Sequence, residues 1–220
     1  AVRDLGKTAQ VFNHLGFTVT PEGVHPGRGS RNRLVVFGGE YLELITVTDP
    51  NLPLFRPNMS DFLKSREGIF IFSMGTSDIE MAFSQAKSRG LKIGESVCGA
   101  RHSSGGIMEY SWRQAEIGQL ELPGSQTFFI QHDHDIKQRY RDPVEAWEHS
   151  NGAQGIYSLT LVVNDAVQAA DQWRSFFDLE NTLSQGVHRQ ADYRVGLAFE
   201  NASLEFLSPT GPGEIQDFLD

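Results

Sequence analysis

Two glutamates stand inside matching phrases of this sequence, Glu43 in VVFGGEYLELITV and Glu205 in AFENASLEFLSP. Strand alternation puts Tyr41, Glu43 and Ile45 on one face and Leu42, Leu44 and Thr46 on the other. A carboxylate between apolar neighbours must reach water, a cation or a hydrogen-bonding partner. Glu43 is either an ordinary solvent-facing strand carboxylate or a metal ligand or acid/base group inside a curved sheet. The second reading predicts that it points into the concave face. His25 joins it as a candidate catalytic residue. It sits in the loop HPGRG, and loops at cleft mouths carry function. A solvated loop histidine is the alternative. Asn32 and Arg33 follow on the next strand and are candidate substrate-binding residues, because Arg holds a carboxylate or phosphate through two parallel hydrogen bonds. A plain surface arginine is the alternative. Trp112 alternates with Tyr110 on one strand, as a pocket wall for substrate or as core. His132 and His134 straddle Asp133 and would face one way at strand spacing, as a chelating pair or a solvated strand end. Arg101-His102 lies in a Ser/Gly loop that could serve as a lid. His14 and His188 read as peripheral, and the pattern around His149 assigns it no role.

The elements that must position these residues recur. Residues 4–17 read as a helix, with Asp4 as its cap, Val11, Phe12 and Leu15 as its apolar face and Gly16 as its end. Strands are expected at Asn32–Phe37 and Tyr41–Val47. After a proline-bearing connector the pattern restarts. Gly68–Met74 reads as a buried strand, Ser77 or Asp78 as a cap and Gly90 as a helix end. Strands are then expected near Leu91–Val97, Ile107–Arg113 and Thr127–Gln131. A third pass begins at Ile156, with Asp165, Trp173, Phe199 and Glu205 matching Asp4, Phe12, Phe37 and Glu43 in order. The reading is three βαβββ units, at 1–48 with its first strand truncated, at 67–134 and at 155–209. The fold class expected is α+β, with repeated βαβββ units forming curved mixed sheets around a cleft. Two units side by side leave a cleft between them. An odd third unit pairs with a neighbouring chain, giving a homodimer, or lies against the outside.

The chain has 220 residues, 39% of them hydrophobic and 21% charged, ordinary values for a globular protein. A net charge of −9 argues against nucleic acid and anionic membrane surfaces as partners. No apolar run spans a bilayer and no signal-peptide pattern opens the chain, so a cytoplasmic setting is the expectation. Cys98 is the single cysteine and reads as a packed thiol. The chain opens on Ala1-Val2-Arg3-Asp4, without Met and inside what reads as a strand, as a fragment or processed chain would.

Paired βαβββ units, the helix end LGF and the strand YLELI resemble the vicinal oxygen chelate superfamily, which includes glyoxalase I, extradiol dioxygenases and bleomycin-resistance proteins. The run from His25 to Ile45 more closely resembles its glyoxalase-like domain branch. The resemblance implies a cleft for a small molecule. It implies either metal-assisted lyase, isomerase or dioxygenase chemistry, or metal-free binding and sequestration of the resistance type. The metal-using members place a His on the first strand of a unit and a Glu on its last. That implies Glu43 and Glu205 as ligands of a divalent ion such as Zn, Ni, Fe or Mn. The first-strand positions of units two and three fall near Ile71 and Ser158, which are not such ligands. For unit one the resemblance implies a His about three positions upstream of Ala1.

Overall fold

A computed structural model of the chain describes residues 1–103, 109–118, 122, 126–134, 148–177, 179, 182–187 and 192–219, with residues 109 and 182–187 described by backbone alone. His188 and residues 135–147, between the second and third expected units, lie outside the described residues. The fold is α+β. Its contacts gather into two compact units that interleave along the sequence: 1–70, 97–114 and 130–155 form the first, and 71–96, 115–129 and 156–220 the second.

The first unit begins with α1 (Leu5–His14), then β1 (Gly23–Val24), β2 (Ser30–Val36), β3 (Tyr41–Val47) and a short α2 (Met59–Ser65) in the connector. β5 (Val97–Ser103), most of β6 (Glu109–Glu116) and the end of β7 (Thr127–His132) complete it. Asp4 caps α1 by accepting from the Lys7 N–H at 2.9 Å, and Gly16, at φ +85°, takes the left-handed conformation that follows the helix. The buried stripe of α1 is Leu5 and Ala9, with Phe12 half-buried, whereas Val11 and Leu15 are exposed, against the expected face. The spacing of four then three keeps Leu5, Ala9 and Phe12 in line on a helix, which Val11 and Leu15 leave. β3, β2, β1, β5, β6 and β7 follow one another in the sheet. Val2 N–H donates to the Ile45 carbonyl at 2.8 Å, so the opening residues lie along β3.

The second unit holds β4 (Phe72–Gly75), α3 (Ile79–Ser88), β8 (Ser158–Val162), α4 (Ala166–Phe177), β9 (Thr182–Val187), β10 (Asp192–Ala198), β11 (Ser203–Pro209) and α5 (Glu214–Leu219). Asp78 and Asp165 repeat the Asp4 cap, accepting from Met81 N–H at 3.0 Å and Gln168 N–H at 2.9 Å. The strand order β8-β11-β10-β9 pairs β8 with β11 in parallel and the rest antiparallel. Val163 N–H donates to the Leu207 carbonyl at 2.9 Å, the counterpart of the bond from Val2 to Ile45. Trp173, fully buried, is the hub of the core, its ring 5.2 Å from Phe177 and 6.0 Å from both Phe72 and Phe206.

Two expected strands move. Leu91–Val97 gives only one isolated bridge, from Ile93 to Ile117, and the ladder starts at Val97. β4 starts at Phe72: Gly68, at φ +135°, departs from strand geometry, and Ile69 is 71% exposed. Cys98 is exposed rather than packed, because it faces away from its buried neighbours Gly99 and Arg101 in β5.

Candidate active site on the concave face of the first unit

Register carries one face of the sheet through the first unit. Leu34 lies opposite Glu43 and Asn32 opposite Ile45, so Asn32, Tyr41 and Glu43 share a side. Gly23 pairs with Asn32 on one edge and Ser103 on the other, which continues that side into β5. Arg101 then pairs with Tyr110, Gly99 with Trp112 and Val97 with Gln114. β3 and β7 stand at the two ends of these strands, yet Tyr41 Oη lies 3.3 Å from His132 Nε2. The sheet therefore curls, and this face is its concave side. Two glycines let large side chains lie flat on it. A Cβ at Gly23 would meet the Arg101 guanidinium at 2.1 Å, and one at Gly99 would meet the Trp112 indole at 2.3 Å.

A polar network crosses this face. Arg101 Nε donates to Asn32 Oδ1 at 2.7 Å, which fixes the Asn32 amide with its NH2 turned the other way. That NH2 donates to Glu43 Oε1 at 2.6 Å and reaches His25 Nε2 at 3.3 Å. His25 Nε2 is therefore the acceptor, and Nδ1 carries the proton donated to Ser30 Oγ at 2.8 Å. Burial holds the His25 pKa below the usual imidazole range. Glu43 opposes that shift, and Arg101 and Arg28 add to it, so the ring is neutral. His25 Nε2 and Glu43 Oε1 are 3.9 Å apart, with the Asn32 amide donating to both. The His25 ring stands edge-on to Phe55 at 5.5 Å and Trp112 at 6.0 Å. His25 and Asn32 are 3% exposed, whereas the Glu43 side chain is 35% exposed, so Glu43 is the most accessible of the three.

The structure thus brings Glu43, His25, Asn32 and Trp112 together. Arg33 points to the opposite face of β2, toward the Thr20 carbonyl and Glu22. Glu205 belongs to the second unit, where Arg194 pairs with its Oε1 and Thr160 Oγ1 donates to its Oε2 at 3.0 Å. His132 faces Tyr41 and Trp112, while His134 lies beyond the end of β7 and is exposed. His149 is a clasp. It accepts from Thr18 N–H at 3.0 Å through Nδ1, and its Nε2 donates to the Val36 carbonyl at 3.1 Å. Arg101 is the central residue that lid-like sequence surroundings concealed: it lies in β5, 5% exposed. Only the pairing of β1 with β5 brings it to Asn32.

A divalent ion needs three or more imidazole or carboxylate donors converging on one point. Among the described residues no group of three His, Cys, Asp or Glu side chains could hold a metal ion. The one free lone pair of His25 faces an Asn32 N–H, and Glu205 already has a guanidinium and a hydroxyl. The described residues do not make the metal set that the resemblance implies. Nor, among them, is any helix long and apolar enough to cross a membrane.

A curled sheet in an α+β chain is the architecture of the glyoxalase-fold class of proteins. A family model described as a glyoxalase-like domain matches residues 1–177, and the chain belongs to that family. No curated protein matches the chain. Among solved structures, a hypothetical protein from Staphylococcus aureus aligns with TM-score 0.68 at 17% identity, covering 91% of this chain and 79% of its own. A mutant of 4-hydroxymandelate synthase from Streptomyces coelicolor aligns with TM-score 0.57 at 16% identity, covering 99% of this chain and 64% of its own. At these identities the likeness is one of fold.

Proposed function

We propose that the concave face of the first unit binds a small molecule and that Glu43 exchanges a proton with it. The observation that carries this reading is the half-exposed Glu43 carboxylate held by one oxygen. Asn32 occupies Oε1, and Oε2 has no hydrogen bond among the described residues. A general base needs one oriented oxygen within reach of the ligand and a fixed partner behind it. Asn32 is that partner, and Arg101 aligns Asn32. Tyr41, Phe55 and His132, each half-buried, offer the apolar and polar walls that orient a ligand. This chemistry is proton abstraction beside a carbonyl or hydroxyl, as in isomerases and lyases, and every group it uses belongs to the chain itself.

The test is solvent-deuterium exchange into small oxo and hydroxy compounds, with the protein as catalyst. Exchange at a carbon-bound hydrogen is expected in at least one of them. Glu43→Gln is expected to slow it by about a hundredfold or more, with an unchanged NMR spectrum of the fold. Undiminished exchange by Glu43→Gln would remove Glu43 from the role. If exchange is absent throughout but ligand binding still shifts Asn32 and Trp112 signals, the site is a binding module instead, which is the sequestering reading of the same face.

A further inference from the structure

We propose that the ligand of this face is a small anion, carboxylate-bearing and with an apolar body, and that Arg28 selects its charge. The inference rests on the concave-face site proposed above and adds the chemical class of its occupant.

Two guanidiniums carry it, Arg101 against Asn32 and Arg28 over the Phe55 ring, in a chain whose net charge is −9. Arg101 is 5% exposed, and its contacts among the described residues are neutral: it donates to Asn32 Oδ1 at 2.7 Å and to the Pro21 carbonyl at 3.0 Å, and lies 6.0 Å from the Tyr110 ring centroid. Among the described residues no carboxylate pairs with it. A buried guanidinium without a counter-charge is costly, and an anion entering the face offsets that cost.

Arg28 is the cation that an anion can reach. The turn His25-Pro26-Gly27-Arg28 closes with Arg28 N–H donating to the His25 carbonyl at 3.0 Å, and Gly27 supplies the positive φ, +67°, that the turn requires. The turn that sets His25 therefore also sets Arg28. The guanidinium carbon sits 4.5 Å from the Phe55 ring centroid, stacked on the ring that faces His25 and Trp112. The side chain is half-buried and has neither hydrogen bond nor ion pair among the described residues. A stacked, planar, unpaired guanidinium is oriented in advance for two-point binding of a carboxylate.

A further donor lies on the same face. Trp112 Nε1–H donates to Gln114 Oε1 at 2.9 Å, which leaves the Gln114 NH2 as the outer end of the amide. That nitrogen is buried and has no hydrogen-bond partner among the described residues. An acceptor-bearing ligand would satisfy that N–H.

The test uses two probes of one shape and different charge, phenylacetate and phenylacetamide. Each is titrated into the full chain while NMR follows the Asn32 side-chain amide and the Trp112 indole N–H. Both probes are expected to give saturable shifts, phenylacetate about tenfold tighter, with a preference that narrows as salt rises. Arg28→Gln should abolish the preference, weakening phenylacetate far more than phenylacetamide, and Arg28→Lys should retain part of it. Equal binding of the two probes by the native chain, or a preference that survives Arg28→Gln, overturns the assignment of Arg28 while leaving the concave-face site standing. If neither probe gives a saturable shift at Asn32 or Trp112, the site itself falls, and this proposal with it.

Discussion

Glu43 and Glu205 occupy equivalent strand positions, and one neighbouring residue makes them different groups. Asn32 pairs across from Ile45, and Arg194 across from Leu207, each reaching diagonally to the glutamate on the next strand. In the first unit the donor is a neutral amide and the carboxylate side chain stays 35% exposed. In the second it is a guanidinium, and the Glu205 side chain is 11% exposed. Glu205 is thus an ion-paired, mostly buried carboxylate, and Arg194→Gln is expected to destabilise the chain by about 1–3 kcal/mol, measured by urea unfolding. His25 supplies the pH dependence. Burial depresses its folded pKa below 6.5, so above that pH both folded and unfolded states carry the neutral ring and nothing is lost. As pH falls through 6.5 the unfolded state takes up a proton that the folded state refuses, and stability drops until the folded pKa is reached. Unfolding of native chain and His25→Gln at about pH 7.5 and about pH 5 should show the steeper loss in the native chain. A slope unchanged by the substitution would mean that His25 is not the neutral buried base.

At the scale of elements, the same aspartate cap opens α1, α3 and α4. Replacing Asp78 or Asp165 by Ala should cost about 1 kcal/mol each, read as a shift in the urea midpoint. Those caps were legible because a cap and its helix are neighbours in sequence. The glycines of β1 and β5 were not. Nothing beside Gly99 in sequence says that an indole must cross it, since Trp112 arrives through strand pairing. Gly99→Ala is expected to push Trp112 off the sheet at a cost of about 1–3 kcal/mol. Its clearest readout is a shifted indole N–H resonance, because the bond to Gln114 must move with the ring. An unmoved resonance would show that the strand gives way instead of the indole.

At the scale of the molecule, repeat boundaries and compact units follow different rules. The repeat is read along the chain at 1–48, 67–134 and 155–209. The compact units are set by packing, and the first draws on three separate stretches. Residues 1–70 contain β1, β2 and β3 but neither β5 nor β6, so they lack Arg101, Trp112 and the strand that pairs with the second edge of β1. A fragment of residues 1–70 is expected to give a poorly dispersed NMR spectrum. Native-like dispersion in that fragment would show that β5 is dispensable. In the second unit Trp173 is the group to remove: Trp173→Ala should cost about 3–5 kcal/mol, with loss of hydrogen-exchange protection in β10 and β11.

Local chemistry settled what the sequence by itself could determine. The α+β class, the neighbourhood of each helix start, the turn glycines and the grouping of Tyr41, Glu43 and Ile45 on one strand face all follow from periods of a few residues, which a chain displays openly. Glu43, His25, Asn32 and Trp112 were visible as candidates for that reason. The tertiary structure alone decided which of them meet. It turned Arg33 away by one strand position, gave Glu205 to Arg194, and set Arg101 beneath Asn32 through a two-residue strand, too short to read as one. It also curled the sheet until Tyr41 met His132. Strand partners are chosen by the burial of whole faces and by pairing between distant segments, and neither leaves a mark in the residues adjacent to a site.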